Sequence, residues 1–498
     1  MSIRPIDNSC PCCGAKISVT SKHEFQKGSS PYESVCDNCW TKTFLHFPDK
    51  LIGDDGFSYP SDGRQPSVEI KLWHWDLPNK TLNVLLVEPN FYTRYPPLGL
   101  LKISTYHKQR GDSVELIRVP ERPTVAPDLI YVTSLFTYSW KAVHEAVAYC
   151  KLLFPSTPVI LGGIYASLLP DHAMLSGADY ISVGISKNLD QLVPDYALVS
   201  RWKWESNIVF SSRGCIRPCA FCAIPKVEGK IDGRKTIIDI IDTQLKKIIF
   251  WDNNFLASPH RDEIFTELCK LRFEVDFNQA LDARLMTPEI AECISSLKTR
   301  LIRLACDNSL QKDAIQQAIL LLSKCGVSPR KILVYTLFNY TDSPDDFLDR
   351  TRFLLKNGVV VYPMRYEPLS VLQKNEFVSS TWNKNFLDLV QQARRVIGYA
   401  GSFPPYKPLI EKLCFTNNFE YAFALRPSLD HIKSKLFLSD EDAKRIYAFY
   451  KSNNLTTKQM PLEKALNALR DGDMQVVRPI VQQSKKRQKR LSGSLDWR

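Results

Sequence analysis

No stretch of the 498 residues approaches the ~18 uninterrupted apolar residues that a membrane-crossing helix needs. The start, MSIRPIDNSC, lacks the apolar core of a secretion signal, so the expected location is the cytosol. No tandem repeat of solenoid type is visible, which excludes a repeat array. A disulfide framework is not expected in so large a cytosolic chain, and its 14 cysteines read instead as reduced thiols. What remains is the composition of a folded soluble protein, 44% hydrophobic and 24% charged, long enough for about three domains.

The cysteines are unevenly placed. Five lie at 10, 12, 13, 36 and 39, three at 215, 219 and 222, and the six at 150, 269, 293, 306, 325 and 414 are scattered and read as buried apolar fillers. Net charge is +12, and the run KKRQKR at 485–490 carries five of those charges. That tail can contact nucleic acid or another polyanion, or stay solvated.

Residues 1–50 hold the first cysteine group, and 51–80, with DDGFSYPSDGRQP, reads as linker. From 81 to 200 strand and helix patterns alternate: TLNVLLVEP, a helical PPLGLLKISTYHKQRG, SVELIRV, DLIYVTS, KAVHEAVAYCKLLF, PVILGG and DYISVG. That order predicts an α/β domain of Rossmann-like, flavodoxin-like type, a parallel sheet whose ligands approach the carboxyl ends of its strands. From 201 to 375 the pattern restarts, with strands in NIVFSSRG, KKIIFWDN, EVDFNQAL, RLIRLACD, KILVYTLF and VVVYPMRY. Six such repeats predict a partial (β/α)6 barrel of TIM type, with its chemistry on the loops at strand carboxyl ends. Residues 376–480 are helical in periodicity, and 481–498 form the basic tail.

RGCIRPCAFC at 213–222 places Cys215, Cys219 and Cys222 in a C-x3-C-x2-C array on a loop directly after the first barrel strand. Ordinary structural zinc sites do not use that spacing. Three thiolates on an iron–sulfur cube leave one iron open, and an open iron can chelate an amine and a carboxylate. The array, with Phe221 before the last cysteine and a six-fold βα repeat around it, resembles the radical S-adenosylmethionine (radical SAM) enzymes. The resemblance implies a [4Fe-4S] cluster on Cys215, Cys219 and Cys222, SAM on the fourth iron, and reductive cleavage to methionine and a 5′-deoxyadenosyl radical that abstracts hydrogen from substrate. It also implies an electron donor of flavodoxin or ferredoxin type.

The resemblance covers about 80–370, because LNVLLVEP, YPPLGLL, VILGG and GADYISVG resemble the cobalamin-binding domain that precedes the radical domain in one large subgroup. The Asp-x-His-x-x-Gly loop that ligates cobalt in some such domains is absent; after the first strand this chain reads EPNFYTRYPPLG, and cobalamin is left open. The family places a SAM contact after the second barrel strand, where this chain has Asp252, Asn253 and Asn254 in place of the usual Gly-Gly-Glu. Gln279, Asp282 and Arg284 follow the third strand, Arg303 and Asp307 lie on or beyond the fourth, and Tyr366 and Glu367 end the sixth. Polar groups there can bind ribose, carboxylate or substrate, or serve as ion pairs and caps.

CPCCG and CDNC supply two C-x2-C pairs, Cys10 with Cys13 and Cys36 with Cys39, which resemble a zinc ribbon. A structural zinc would stabilise a segment too small to fold on its own core, with a rubredoxin-type iron or an auxiliary cluster as alternatives. The sequence thus points to an enzyme that cleaves SAM and does radical chemistry on an unidentified substrate, with methyl transfer added if cobalamin is bound. The competing expectation is a nucleic-acid-binding or redox-sensing regulatory protein that uses the ribbon and the basic tail.

Overall fold

The computed structural model describes residues 70–91, 93–397, 413–424, 432–433, 436–453, 455, 460–470 and 472, together with four short strands near the start of the chain. Those four are β1 (Asn8–Ser9), β2 (Lys16–Ile17), β3 (Tyr32–Val35) and β4 (Lys42–Leu45). β1 pairs antiparallel with β2 and β3 with β4, Val35 opposite Lys42. Cys10, Cys13, Cys36 and Cys39 lie outside the described residues; in sequence, each C-x2-C pair falls between two strands that pair with each other. The basic tail also lies outside them.

The chain falls into two compact units, Met1–Gln279 with Glu367–Phe377, and Ala280–Tyr366 with Val378–Arg498. The first unit contains a five-stranded sheet made of β5 (Asn83–Glu88), β6 (Ser113–Arg118), β7 (Leu129–Ser134), β8 (Val159–Gly163) and β9 (Tyr180–Ser182). All neighbours are parallel and the order is β6-β5-β7-β8-β9, so the strand order reverses beside β5, as in flavodoxin-like folds. NVLLVE reads as a continuous apolar run because both of its faces are covered. Val84 and Leu86 pack with Leu100 of α1 (Leu98–Gln109), while Leu85 and Val87 pack with Val143, Ala146 and Val147 of α2 (Trp140–Leu153). Short helices α3 (Ile164–Leu168), α4 (Pro170–Met174) and α5 (Lys187–Asp190) complete this part.

The returning segment Glu367–Phe377 belongs to the same unit. Thr137 Oγ1 donates to the Val371 carbonyl (2.6 Å), Trp140 Nε1 donates to that of Leu372 (3.1 Å), and the Leu372 side chain joins the α2 core.

Three further parallel strands follow in this unit. β10 (Asn207–Val209) leads through β11 (Ser212–Arg213) into the cysteine loop, α6 (Ile224–Val227) lies within the loop, and β12 (Asp232–Gly233) closes it by pairing antiparallel with β11. β13 (Lys247–Phe250) pairs with both β10 and β14 (Glu274–Phe277). The connection from β13 to β14 is α7 (Arg261–Leu271), whose Ile264, Phe265 and Leu268 recur at helical spacing and are buried. Each contributes about 1.5–3 kcal/mol of apolar burial. Phe265, Phe255, Phe277 and Phe250 form a continuous ring cluster, with Phe255 4.7 Å from Phe277 between centroids.

The second unit carries α8 (Pro288–Ser296), a short β15 (Lys298–Thr299), and three parallel strands, β16 (Ile302–Ala305), β17 (Ile332–Phe338) and β18 (Val360–Arg365). α9 (Lys312–Lys324) and α10 (Pro344–Lys356) connect them. α10 starts sharply, because Ser343 and Asp346 cap each other's backbone and Pro344 occupies the first turn. α11 (Lys384–Ile397) packs Leu387, Val390 and Ala393 against Phe347, Trp382 and Phe423. The helices at 440–452 and 462–470 form a separate core around Ile446, Tyr450 and Ala465. All six strands read from the sequence after 200 are present, three in each unit, and the helical character of the region after 376 is present where that region is described. No helix among the described residues is long and apolar enough to cross a membrane.

Candidate functional site

The cysteine loop hangs from the carboxyl end of β10 and is fixed at both ends. Gly214 N donates to Glu228 Oε2 (2.9 Å), and Cys215 N donates to the Gly229 carbonyl (3.3 Å). Between these ends Cys215, Cys219 and Cys222 are half-exposed, and Cys222 N donates to the Cys219 carbonyl in a tight turn (3.0 Å). Cys215 Sγ accepts from Arg217 N (3.3 Å) and from Asn254 Nδ2 (3.7 Å).

Asp252, Asn253 and Asn254 follow β13 and all turn toward this loop. Asp252 is buried and accepts from Ser211 N (2.8 Å), Ser211 Oγ (2.6 Å) and Ser212 Oγ (2.7 Å), which fixes the strand end that enters the loop. Asn253 Nδ2 donates to Glu228 Oε2 (2.8 Å), the oxygen that also holds Gly214. The three residues expected to meet the SAM amine are therefore placed against the loop that carries the thiols.

A chain of charges continues from there into the five-stranded domain. Arg213 gives Nη1 to Glu228 Oε1 (3.1 Å) and a two-pronged fork to Asp190, Nε to Oδ2 and Nη2 to Oδ1, both at 2.8 Å. Asp190 also accepts from Lys102 of α1 (3.2 Å). Burial alone would raise Asp190, but the Arg213 fork and the Lys102 ammonium outweigh it and hold the carboxyl below its ordinary range. Burial pulls Lys102 the other way, below the usual lysine range, against the attraction of Asp190. The Arg213 guanidinium lies 3.4 Å from the Phe210 ring centroid.

Burial pushes Asp252 up to about 6, against the pull of its hydrogen bonds from Ser211 and Ser212. A carboxyl raised in the fold favours the folded state while protonated. Its contribution is complete below the unfolded value near 4 and is lost as pH rises through about 6, a change of about 3 kcal/mol. In the metal-free protein, Asp252→Asn is expected to gain on the wild type in melting temperature mainly between about pH 4 and 6, with a constant difference below about 3 and above about 7. A difference independent of pH from 4 to 8 would contradict this.

Of the remaining sequence candidates, Asp282, Arg284, Arg303 and Asp307 lie near one another in the second unit, where Leu281 N donates to the Arg303 carbonyl (2.8 Å) and the charges of Asp282 and Arg284 reach Asp307. Gln279 is exposed at the end of the first unit, and its neighbour Asn278, unmarked by the sequence reading, donates to the Tyr95 hydroxyl (2.7 Å). Tyr95 comes from the YPPLG loop after β5 and lies 5.2 Å from the Trp251 ring. Arg303 and Asp307 belong to the second unit, where burial raises Asp307 while Arg350 and Arg284 pull it down. Asp282 and Arg284 bond each other, Nε to Oδ1 at 2.7 Å and Nη2 to Oδ2 at 3.0 Å, an ion pair that also caps a turn. Tyr366 packs on Tyr340 at 4.7 Å, and Glu367 accepts from Asn375 N (3.0 Å).

Among the described residues no three His, Cys, Asp or Glu side chains converge as a site for a single ion. A cube spaces its thiolates farther apart than one ion does, so three half-exposed thiols on one pinned loop, one already receiving two N–H donors, fit a cluster. The carboxyl end of the five-stranded sheet does not fit a histidine-ligated corrinoid. His144 and His172 both bond the Tyr165 hydroxyl (2.8 and 2.5 Å), and His107 is buried against Asp112 (2.6 Å) near the amino ends of the strands.

No family model matches the chain. No curated protein matches it either. Among solved structures, coproporphyrinogen III oxidase (HemN) from Escherichia coli, a radical SAM enzyme, is similar at 12% identity over 38% of this chain, with a TM-score of 0.26. The chain spans about half, 51%, of that structure's length. A likeness of that size sets neither fold nor function.

Proposed function

We propose that this chain is a radical SAM enzyme in which Cys215, Cys219 and Cys222 hold a [4Fe-4S] cluster whose fourth iron takes SAM. The observation that carries the reading is the thiol loop itself: three cysteines on one short segment, at the carboxyl end of the first of a run of parallel strands, pinned by residues from the end of the next. When bound, the cluster supplies the electron that splits SAM reductively into methionine and a 5′-deoxyadenosyl radical. The chain's own part is to hold the loop. Asp252 fixes Ser211 and Ser212, Glu228 joins Gly214 to Arg213 and Asn253, and the Arg213–Asp190–Lys102 chain anchors the entry to α1. Such support keeps three thiolates in register as the cluster changes charge. The reaction assigned here takes no step through cobalt.

The finer assignments are also proposals. Cys10, Cys13, Cys36 and Cys39 would hold a structural zinc, a reading supported by the paired strands that flank each C-x2-C pair. Electrons would come from a flavodoxin- or ferredoxin-type donor.

The test is anaerobic reconstitution. The expected result is about four irons on the three loop thiols, an absorbance or EPR change on adding SAM, and release of 5′-deoxyadenosine with dithionite that is lost in Cys219→Ala. Zinc alone at those thiols, or no response to SAM, would overturn the reading, and steep salt-dependent binding of RNA or DNA without turnover would favour a regulatory role.

A further inference from the structure

We propose that Asn254 is a hydrogen-bond donor to the Cys215 thiolate that raises the reduction potential of the cluster, and not a ligand of SAM. The inference rests on the cluster reading above and assigns a role to a residue of its site. Asn254 is buried at 3% exposure, and its carboxamide nitrogen lies 3.7 Å from Cys215 Sγ. A thiolate can only accept, so the amide presents its NH2 edge to sulfur. The backbone holds that side chain in place: the Asn254 carbonyl accepts from Ala257 N (3.0 Å) as a one-turn helix begins at 255. Its neighbours are engaged in the same direction, Asp252 on Ser211 and Ser212, Asn253 on Glu228. All three residues thus serve one loop from the end of β13.

A donor on a ligating sulfur withdraws charge from it and favours the reduced, more negative cluster over the oxidised one. Arg217 N gives Cys215 a second donor, but a backbone N–H cannot be removed by changing a side chain. Asn254 is therefore the adjustable one. Loss of its N–H should disfavour reduction about tenfold, which for one electron is about 59 mV.

The experiment is an EPR-monitored redox titration of the reconstituted full-length protein without SAM, with dithionite as reductant, for wild type, Asn254→Leu and Asn254→Asp. SAM affinity is measured separately from the spectral change on titration. Asn254→Leu should keep the wild-type iron and sulfide content and bind SAM within about twofold of wild type, yet be reduced about tenfold less readily at a fixed potential. Asn254→Asp, which keeps the shape and places a negative charge beside the sulfur, should be harder still to reduce. The proposal is overturned if either cluster-containing variant has the wild-type potential, if the two variants share one potential, or if SAM affinity falls while the potential stays. It is also overturned if neither variant retains a cluster, since Asn254 would then hold the loop and not tune it. A wild-type protein that takes up no cluster would instead overturn the cluster reading itself.

Discussion

Gly214→Ala is expected to lower iron uptake on reconstitution more than tenfold and to abolish SAM cleavage, although all three thiols remain in the chain. Gly214 has φ +77°, and a β-carbon there would lie 2.3 Å from the Lys230 carbonyl oxygen, 2.5 Å from its carbon and 2.8 Å from the Gly229 oxygen. These atoms are backbone and cannot rotate aside. The same atoms belong to the segment that accepts from Cys215 N, so relieving the overlap separates the two ends of the cysteine loop. The left-handed backbone itself costs a side chain about 1–2 kcal/mol, and the overlap adds to that. Gly229→Ala is the control: it has the same φ of +77° but nothing within 4 Å of its β-carbon, so it meets only the conformational term. Colorimetric iron and sulfide assays on the two variants decide the matter. Equal iron in both would show that the close approach at Gly214 does not shape the loop.

Arg350→Ala is expected to destabilise the second unit by about 3–5 kcal/mol, the range for breaking a buried ion pair from one side. Arg350 lies on α10 with no exposed surface. Nη1 donates to the carbonyls of Cys306 (3.0 Å) and Leu337 (2.9 Å), and Nη2 donates to Asp342 (2.6 Å). It therefore joins the chain just beyond β16, the end of β17 and the turn before α10. Burial already raises the Asp342 carboxyl, and only Arg350 among its neighbours supplies a compensating positive charge to it among the described contacts. Removing the guanidinium leaves a buried acid and two buried carbonyls without that donor. Hydrogen exchange across 332–338 should accelerate, and the melting temperature of that unit should fall on the order of 10 °C. Arg350→Ala with Asp342→Asn should recover part of the loss, because the second change removes the stranded charge. No recovery would place the effect in packing alone.

The strands were legible in the sequence because burial on both faces writes itself as an apolar run, as in NVLLVE and ILVYTLF, and the helices because Ile264, Phe265 and Leu268 recur at helical spacing. The three loop thiols were legible for a different reason, since their chemistry lies in their spacing. The frame of the loop was not. Asp252 meets serines about forty residues earlier, and Lys102 meets Asp190 across 88 residues. A polar side chain at a strand end looks the same in sequence whether it faces a ligand or a neighbouring hydroxyl, so the serine partners of Asp252 and the Glu228 partner of Asn253 are not legible there. Arg350 carried no signal at all, because a helix with Asp345, Asp346, Asp349, Arg350 and Arg352 reads as a solvated face. Only the turn of α10 that brings Arg350 under two strand ends marks it out.

The segment Glu367–Phe377 gives the first unit a property that its other residues do not share. A nascent chain that has emerged through residue 279 has made every strand of that unit but not the carbonyls that Thr137 and Trp140 bond, nor the leucine that completes the α2 core. Those arrive only after the strands and connecting helices from 280 to 366 have been translated. The part of the molecule that would carry the metal cannot be finished on the ribosome before residues 280–366 of the other part exist.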